Sequence, residues 1–156
     1  MRKKLSLLSL LVIPFLVLLV ASPASAQAEN YTETVHGVTE TFSDVNPCTG
    51  EPATIELTYN AVFHITTDPN GSEHVTGTQT GTVTLTHDDP SLPSYTGRFT
   101  VWFGGNLNPK TEGFWFTFNV KATGSDGSTL SLNAVEQLHV SATGETTVHF
   151  EKLNCR

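Results

Sequence analysis

Along "ATIELTYNAVFHIT" (53–66) apolar and polar positions alternate almost without a break. Ile55, Leu57, Tyr59, Ala61, Phe63 and Ile65 share one face, while Thr54, Glu56, Thr58, Asn60, Val62 and His64 mostly decorate the other. A period of two marks a strand with one dry side and one wet side. Similar stretches, rich in Thr, Val and Phe and punctuated by Gly, Asn and Asp, predict strands at roughly 31–43, 53–66, 73–86, 95–103, 113–123, 129–141 and 145–153. After the first 26 residues no amphipathic helix is read.

Three connections set strand registers. "DPNGS" (68–72), "SDGS" (125–128) and "ATGE" (142–145) each end their loop on Gly, as a three-residue hairpin loop with a left-handed last residue requires. The first then places Ile65 opposite Val75, Leu57 opposite Val83, and Phe63 and Tyr59 over Gly77 and Gly81. The second places Val120 opposite Leu132, Phe118 opposite Ala134 and Phe114 opposite Leu138; the third places Leu138 opposite Val148. A slip of one residue would turn each apolar set to the wrong face. Seven consecutive antiparallel strands predict an all-β, up-and-down meander of about seven or eight strands, closed or nearly closed into a barrel, with a β-sandwich as the alternative. An odd count sets the first and last strands parallel, which leaves place for an eighth strand or a bend in the first.

The N-terminus changes the picture of where this sheet resides. Arg2, Lys3 and Lys4 precede an apolar run from Leu5 to Val20 and small residues ending Ala24-Ser25-Ala26, the layout of a secretory signal peptide cleaved after Ala26. The run is short for a membrane span. Residues 27–156 then form a single exported domain, with no stable membrane insertion. The leader takes three of the eight Lys and Arg residues, so five face 15 Asp and Glu and the net charge is −10. That balance argues against nucleic acid and anionic membrane surfaces as partners. Cys48 and Cys155, an even pair in an exported chain, predict a disulfide at the pole where the first and last strands end.

"NPCTGEP" (46–52), "DPSLPSYTGRFTVWFG" (89–104) and "TGSDGSTL" (123–130) resemble a family of small secreted β-proteins, mostly actinobacterial. The resemblance spans nearly all of the exported chain, with "NPCTGE" its most specific part. It implies a secreted β-protein and transfers no catalytic residue. The general shape is similar to lipocalin-type and allene-oxide-cyclase-type barrels, a likeness of fold alone. "NYT" (30–32) and "NGS" (70–72) match the glycosylation sequon, but the bacterial origin that the resemblance implies argues against modification, and Gly71 has its turn role.

Candidate chemistry gathers in two places. In "LSLNAVEQLHV" (130–140) Glu136 falls on the apolar face, and the registers set it between Phe116 and Phe150. A desolvated carboxyl there would favour its neutral form. With Tyr59 and Gln79 on the same face, it would give a small, largely apolar ligand its polar handles. A position at a wet barrel mouth, a buried cation or a bulge would each explain Glu136 without a ligand. An isomerase or cyclase using Glu136 as acid is a third reading, and no nucleophile–base pair defines a catalytic residue.

The second place is the outer face. Trp102 and Trp115 point away from the apolar set, and "GGNLNPKTEG" (104–113) reads as the loop joining their strands. A register pairing Phe103 with Phe114 would set the two indoles against each other, with Arg98 on the same face, as a surface for a glycan or a protein. The competing reading has that loop or the N-terminal segment covering them. Alternate positions from Thr76 to Thr86 form a threonine row that could bind ice or sugar, although solvent-facing β-branched residues are ordinary on sheets. His64 and His74, and His139 and His149, fall diagonally across hairpins; neither pair reaches the ligand number zinc requires, so no metal and no cofactor is implied.

Overall fold

The computed structural model describes residues 28–156 apart from 109, 110, 142 and 144. The leader read over residues 1–26 lies outside them. Seven strands follow one another: β1 (Glu29–Val45), β2 (Pro52–Thr67), β3 (Glu73–His87), β4 (Tyr95–Leu107), β5 (Thr111–Gly124), β6 (Thr129–Ser141) and β7 (Thr146–Cys155). They form one sheet in sequence order with every neighbour antiparallel. It is an up-and-down meander in a single sheet rather than two packed ones. Among the described residues no ladder joins β1 to β7, so the sheet is open.

The first two hairpins form as their turns dictate. Gly71 (φ 79°) and Gly127 (φ 83°) hold the left-handed position, and the loops close through Asp68 N to Ser72 O at 2.8 Å and Gly124 N to Ser128 O at 2.8 Å. Ile65 pairs with Val75, Leu57 with Val83, Val120 with Leu132 and Phe116 with Glu136.

The third hairpin departs from expectation. It starts in the anticipated register, Val140 opposite Thr146, but a bulge between His139 and Val140 moves every later pair by one residue. Leu138 therefore faces His149 rather than Val148, and Glu136 faces Glu151 rather than Phe150. A bulge adds a residue to one strand without changing the polar–apolar alternation on either side.

β4 and β5 also run further than their composition suggests. Gly104 to Leu107 belong to β4 and Thr111 and Glu112 to β5, leaving only residues 108–110 between the strands in place of the ten-residue loop. The register pairs Phe103 with Phe116, two residues from the Phe103–Phe114 pairing expected.

The sheet coils so that its apolar face encloses the core. Ile55, Leu57, Phe63, Leu85, Phe99, Phe118, Val120 and Leu132 are buried there. Phe99 meets Tyr59 edge-on at 6.3 Å and Phe118 at 5.9 Å, and Phe63 meets Phe103 at 5.4 Å. Gly81 makes room at this point, since a Cβ there would collide with Tyr59.

At the pole where β1 and β7 end, Cys48 is bonded to Cys155, with Cα atoms 5.7 Å apart and a sequence separation of 107. Asn46 is fully buried and organises the turn. Its backbone carbonyl accepts from Gly50 N at 2.7 Å, and its side-chain oxygen accepts from Cys48 N at 2.9 Å. Its amide nitrogen lies 3.2 Å from His87 Nε2. His87 Nδ1 donates to the Pro93 carbonyl at 2.8 Å, because a carbonyl can only accept; Nε2 is then the acceptor for Asn46.

Candidate functional site

Two faces of the sheet carry the residues singled out from the sequence. On the inner face Tyr59 is buried and its hydroxyl donates to Glu40 Oε1 at 2.8 Å. Burial first, then this hydrogen bond and the Glu40 charge, raise its pKa from 10.0 to about 12. Gln79 is half-buried between Ala61 and Val101. Glu136 is buried opposite Phe116, with Oε1 3.4 Å from Nε2 of the half-exposed His149. Phe150 pairs with Gln137 instead of Glu136, so the expected carboxyl between two phenyl positions is not assembled.

The interior also contains a small cavity of about 40 Å³ towards the disulfide pole, lined by apolar residues including Phe42, Leu57, Leu85, Phe118 and Leu132. Small-molecule sites usually enclose about 300–1,000 Å³. None of Tyr59, Gln79 or Glu136 lines this cavity. Tyr59 already has Glu40 as its partner, which the sequence reading missed because inner-face carboxylates on β1 gave no apolar stripe to read.

On the outer face Trp102 is 51% exposed and Trp115 38%. No loop or N-terminal segment among the described residues buries them. Trp102 is opposite Thr117 and Trp115 opposite Gly104, so the indoles are diagonal neighbours rather than a direct pair. Diagonal positions on adjacent strands stand roughly 7–8 Å apart. The Trp115 ring lies across Gly104, where a Cβ would run into it. Beyond it His74 reaches within 6.2 Å of the indole, ring centre to ring centre, and is hydrogen-bonded to Asn106. Arg98 is exposed on the same face but four residues along β4 from Trp102, about 13 Å away at strand rise. It is a separate feature of the face and not a cation stacked on that indole.

The other histidines are dispersed. His64 is hydrogen-bonded to Thr32 Oγ1 at 2.9 Å on the outer face. The bulge separates His139, outer, from His149, inner, which removes their expected diagonal.

Charge is sorted by face. From Thr58 to Thr66 along β2, and at the positions paired with them through β6, the outer side carries Thr, Asn, Gly, Trp, Val, Ser, Gln and His with Arg98 and Lys121, and no carboxylate. Glu29, Glu33, Glu40, Asp44, Glu73, Glu112, Glu136 and Glu151 take inner-face positions instead. The remaining acids sit in turns, apart from Glu56 on the outer side of β2. Arg98, Lys121, Lys152 and Arg156 are all outer and exposed. Of the cations on this face the sequence had offered Arg98; Lys121 and Arg156 join it, and His74 and Asn106 join the indoles, only once the registers are known.

No family model, curated protein or solved structure matches the chain.

Proposed function

We propose that this is an exported, non-enzymatic binding module that holds a polysaccharide on the outer face of its sheet. Trp102 and Trp115 are the stacking surfaces, and Thr76, Thr78, Thr117 and Asn106 surround them with hydrogen-bonding groups. The observation that carries the reading is the pair of exposed indoles, diagonal to one another, with Gly104 leaving room for the Trp115 ring. A sugar ring has an apolar C–H face rimmed by hydroxyls, and this surface offers the complement of both. A protein partner would call for a more apolar centre than two indoles among threonines. The disulfide is consistent with export.

The interior reading, a small apolar ligand held by Tyr59, Gln79 and Glu136, takes second place because the Tyr59 hydroxyl is engaged by Glu40 and Phe150 does not pair with Glu136. A small molecule co-purifying with the protein in native mass spectrometry would restore it.

The test is retention on insoluble polysaccharides, read as protein depleted from solution. Trp102→Ala should weaken retention by about tenfold or more, the scale of a binding hot spot, while its melting temperature stays that of the wild type. Retention unchanged by the substitution rules the outer face out.

A further inference from the structure

Resting on that outer-face reading, we infer that the polysaccharide is acidic, and that Arg98 and Lys121, with Arg156 beyond them, receive its carboxylates. The register sets Arg98 directly opposite Lys121, and Ser131 next to Lys121 on the far side. Ser131 exchanges both backbone hydrogen bonds with Arg156, at 2.9 Å each, which places Arg156 in the same row. The three cations thus lie across β4, β5 and the end of β7, all exposed. At the usual strand spacing the row is roughly 14 Å wide.

Like charges directly opposite one another on a sheet are unfavourable, and no acidic side chain pairs with or flanks Arg98 or Lys121 on this face. Among the described residues neither Arg98 nor Lys121 makes a salt bridge. Their outer-face neighbours are Thr82, Thr96, Thr100, Asn119, Thr123 and Ser131, all neutral. The nearest outer carboxylate along the ladder, Glu56, is two strands from Arg98 and one outer position further on, about 12 Å away. The carboxylates that make the chain acidic lie elsewhere, so bulk charge conceals a locally cationic row.

The guanidinium fork of Arg98 matches a carboxylate in two parallel hydrogen bonds, and Lys121 adds a point charge beside it. The row is separated from Trp102 by Thr100 and Asn119, about 13 Å along the strands, so one extended chain can stack on the indoles and reach the cations with an acidic ring further on.

Polygalacturonate and its fully methyl-esterified form share a backbone and differ in charge, and the exported chain can be titrated with both. The acid form should bind at least about tenfold more tightly than the ester, as one or two charge-assisted hydrogen bonds would give. An R98Q/K121Q double variant, checked for an unchanged melting temperature, should bind the two forms within about twofold of each other on the same grounds. Equal binding of acid and ester by the wild type, lost in both for Trp102→Ala, overturns the acidic inference and keeps the surface reading. Acid binding that Trp102→Ala leaves intact overturns the surface reading and leaves the cationic row standing on its own. Tighter binding of inorganic polyphosphate or DNA than of polygalacturonate overturns the carboxylate assignment, and binding of neither glycan form overturns both.

Discussion

Tyr59 is a polar group on the dry side of the sheet, and its environment holds the proton on. Its pKa, raised from 10.0 to about 12, means that the folded state favours the neutral phenol more than the unfolded chain does. The stability this contributes is complete below pH 10 and is lost as the pH climbs through 12. Melting temperatures followed through that range should fall more steeply for the wild type than for Tyr59→Phe, which has nothing to ionise; parallel curves would show that neither the burial nor the Glu40 contact of Tyr59 is maintained in solution. The unusual placement of Glu136 was legible from the alternation around it, because a charged residue among Leu132, Ala134 and Leu138 is conspicuous. Its partner was not, since His149 reaches the inner face only through a bulge that the alternation does not record. Asn46 illustrates the converse. It stands in the segment "NPCTGEP" (46–52), and the structure gives it a turn-building task through its bonds to Cys48, Gly50 and His87.

At the level of strands, the hairpins with a glycine in the left-handed position formed in the registers their turn residues impose, because loop geometry and side-chain sorting agree there. The connection between β4 and β5 misled because glycine has two uses that look identical in a sequence. Gly104 and Gly105 do not turn the chain; they leave room for the rings of Trp115 and Phe114. The strands also differ in how well they are held. β2 alternates buried and exposed positions along most of its length, whereas the described side chains of β7 from His149 to Cys155 are exposed on both faces. Hydrogen–deuterium exchange should therefore be fastest in β7 and in the exposed first turn of β1 around Tyr31, and slowest in β2 to β5. Uniform protection across all seven strands would mean that the two ends of the sheet are covered in solution.

For the molecule as a whole, the disulfide is the longest-range constraint. Linking residues 107 apart in sequence removes about 4–5 kcal/mol of chain entropy from the unfolded state in the loop-closure account. A Cys48→Ser/Cys155→Ser variant should lose about 2–5 kcal/mol in urea unfolding. A change below about 1 kcal/mol would show that the unfolded chain is already constrained without the bond. The pairing was legible from the cysteine count and strand parity together. Segregation of charge was not, since a net value has no direction, and an acid-free face appears only when registers assign each residue a side. The position of the bond has a further consequence. Arg156 follows Cys155 immediately and is fixed in its row by that anchorage and by Ser131. Without the bond, Arg156 would be held in its row only by the β6–β7 ladder and its two hydrogen bonds to Ser131. A reductant should therefore let the end of β7 fray before the rest of the sheet unfolds.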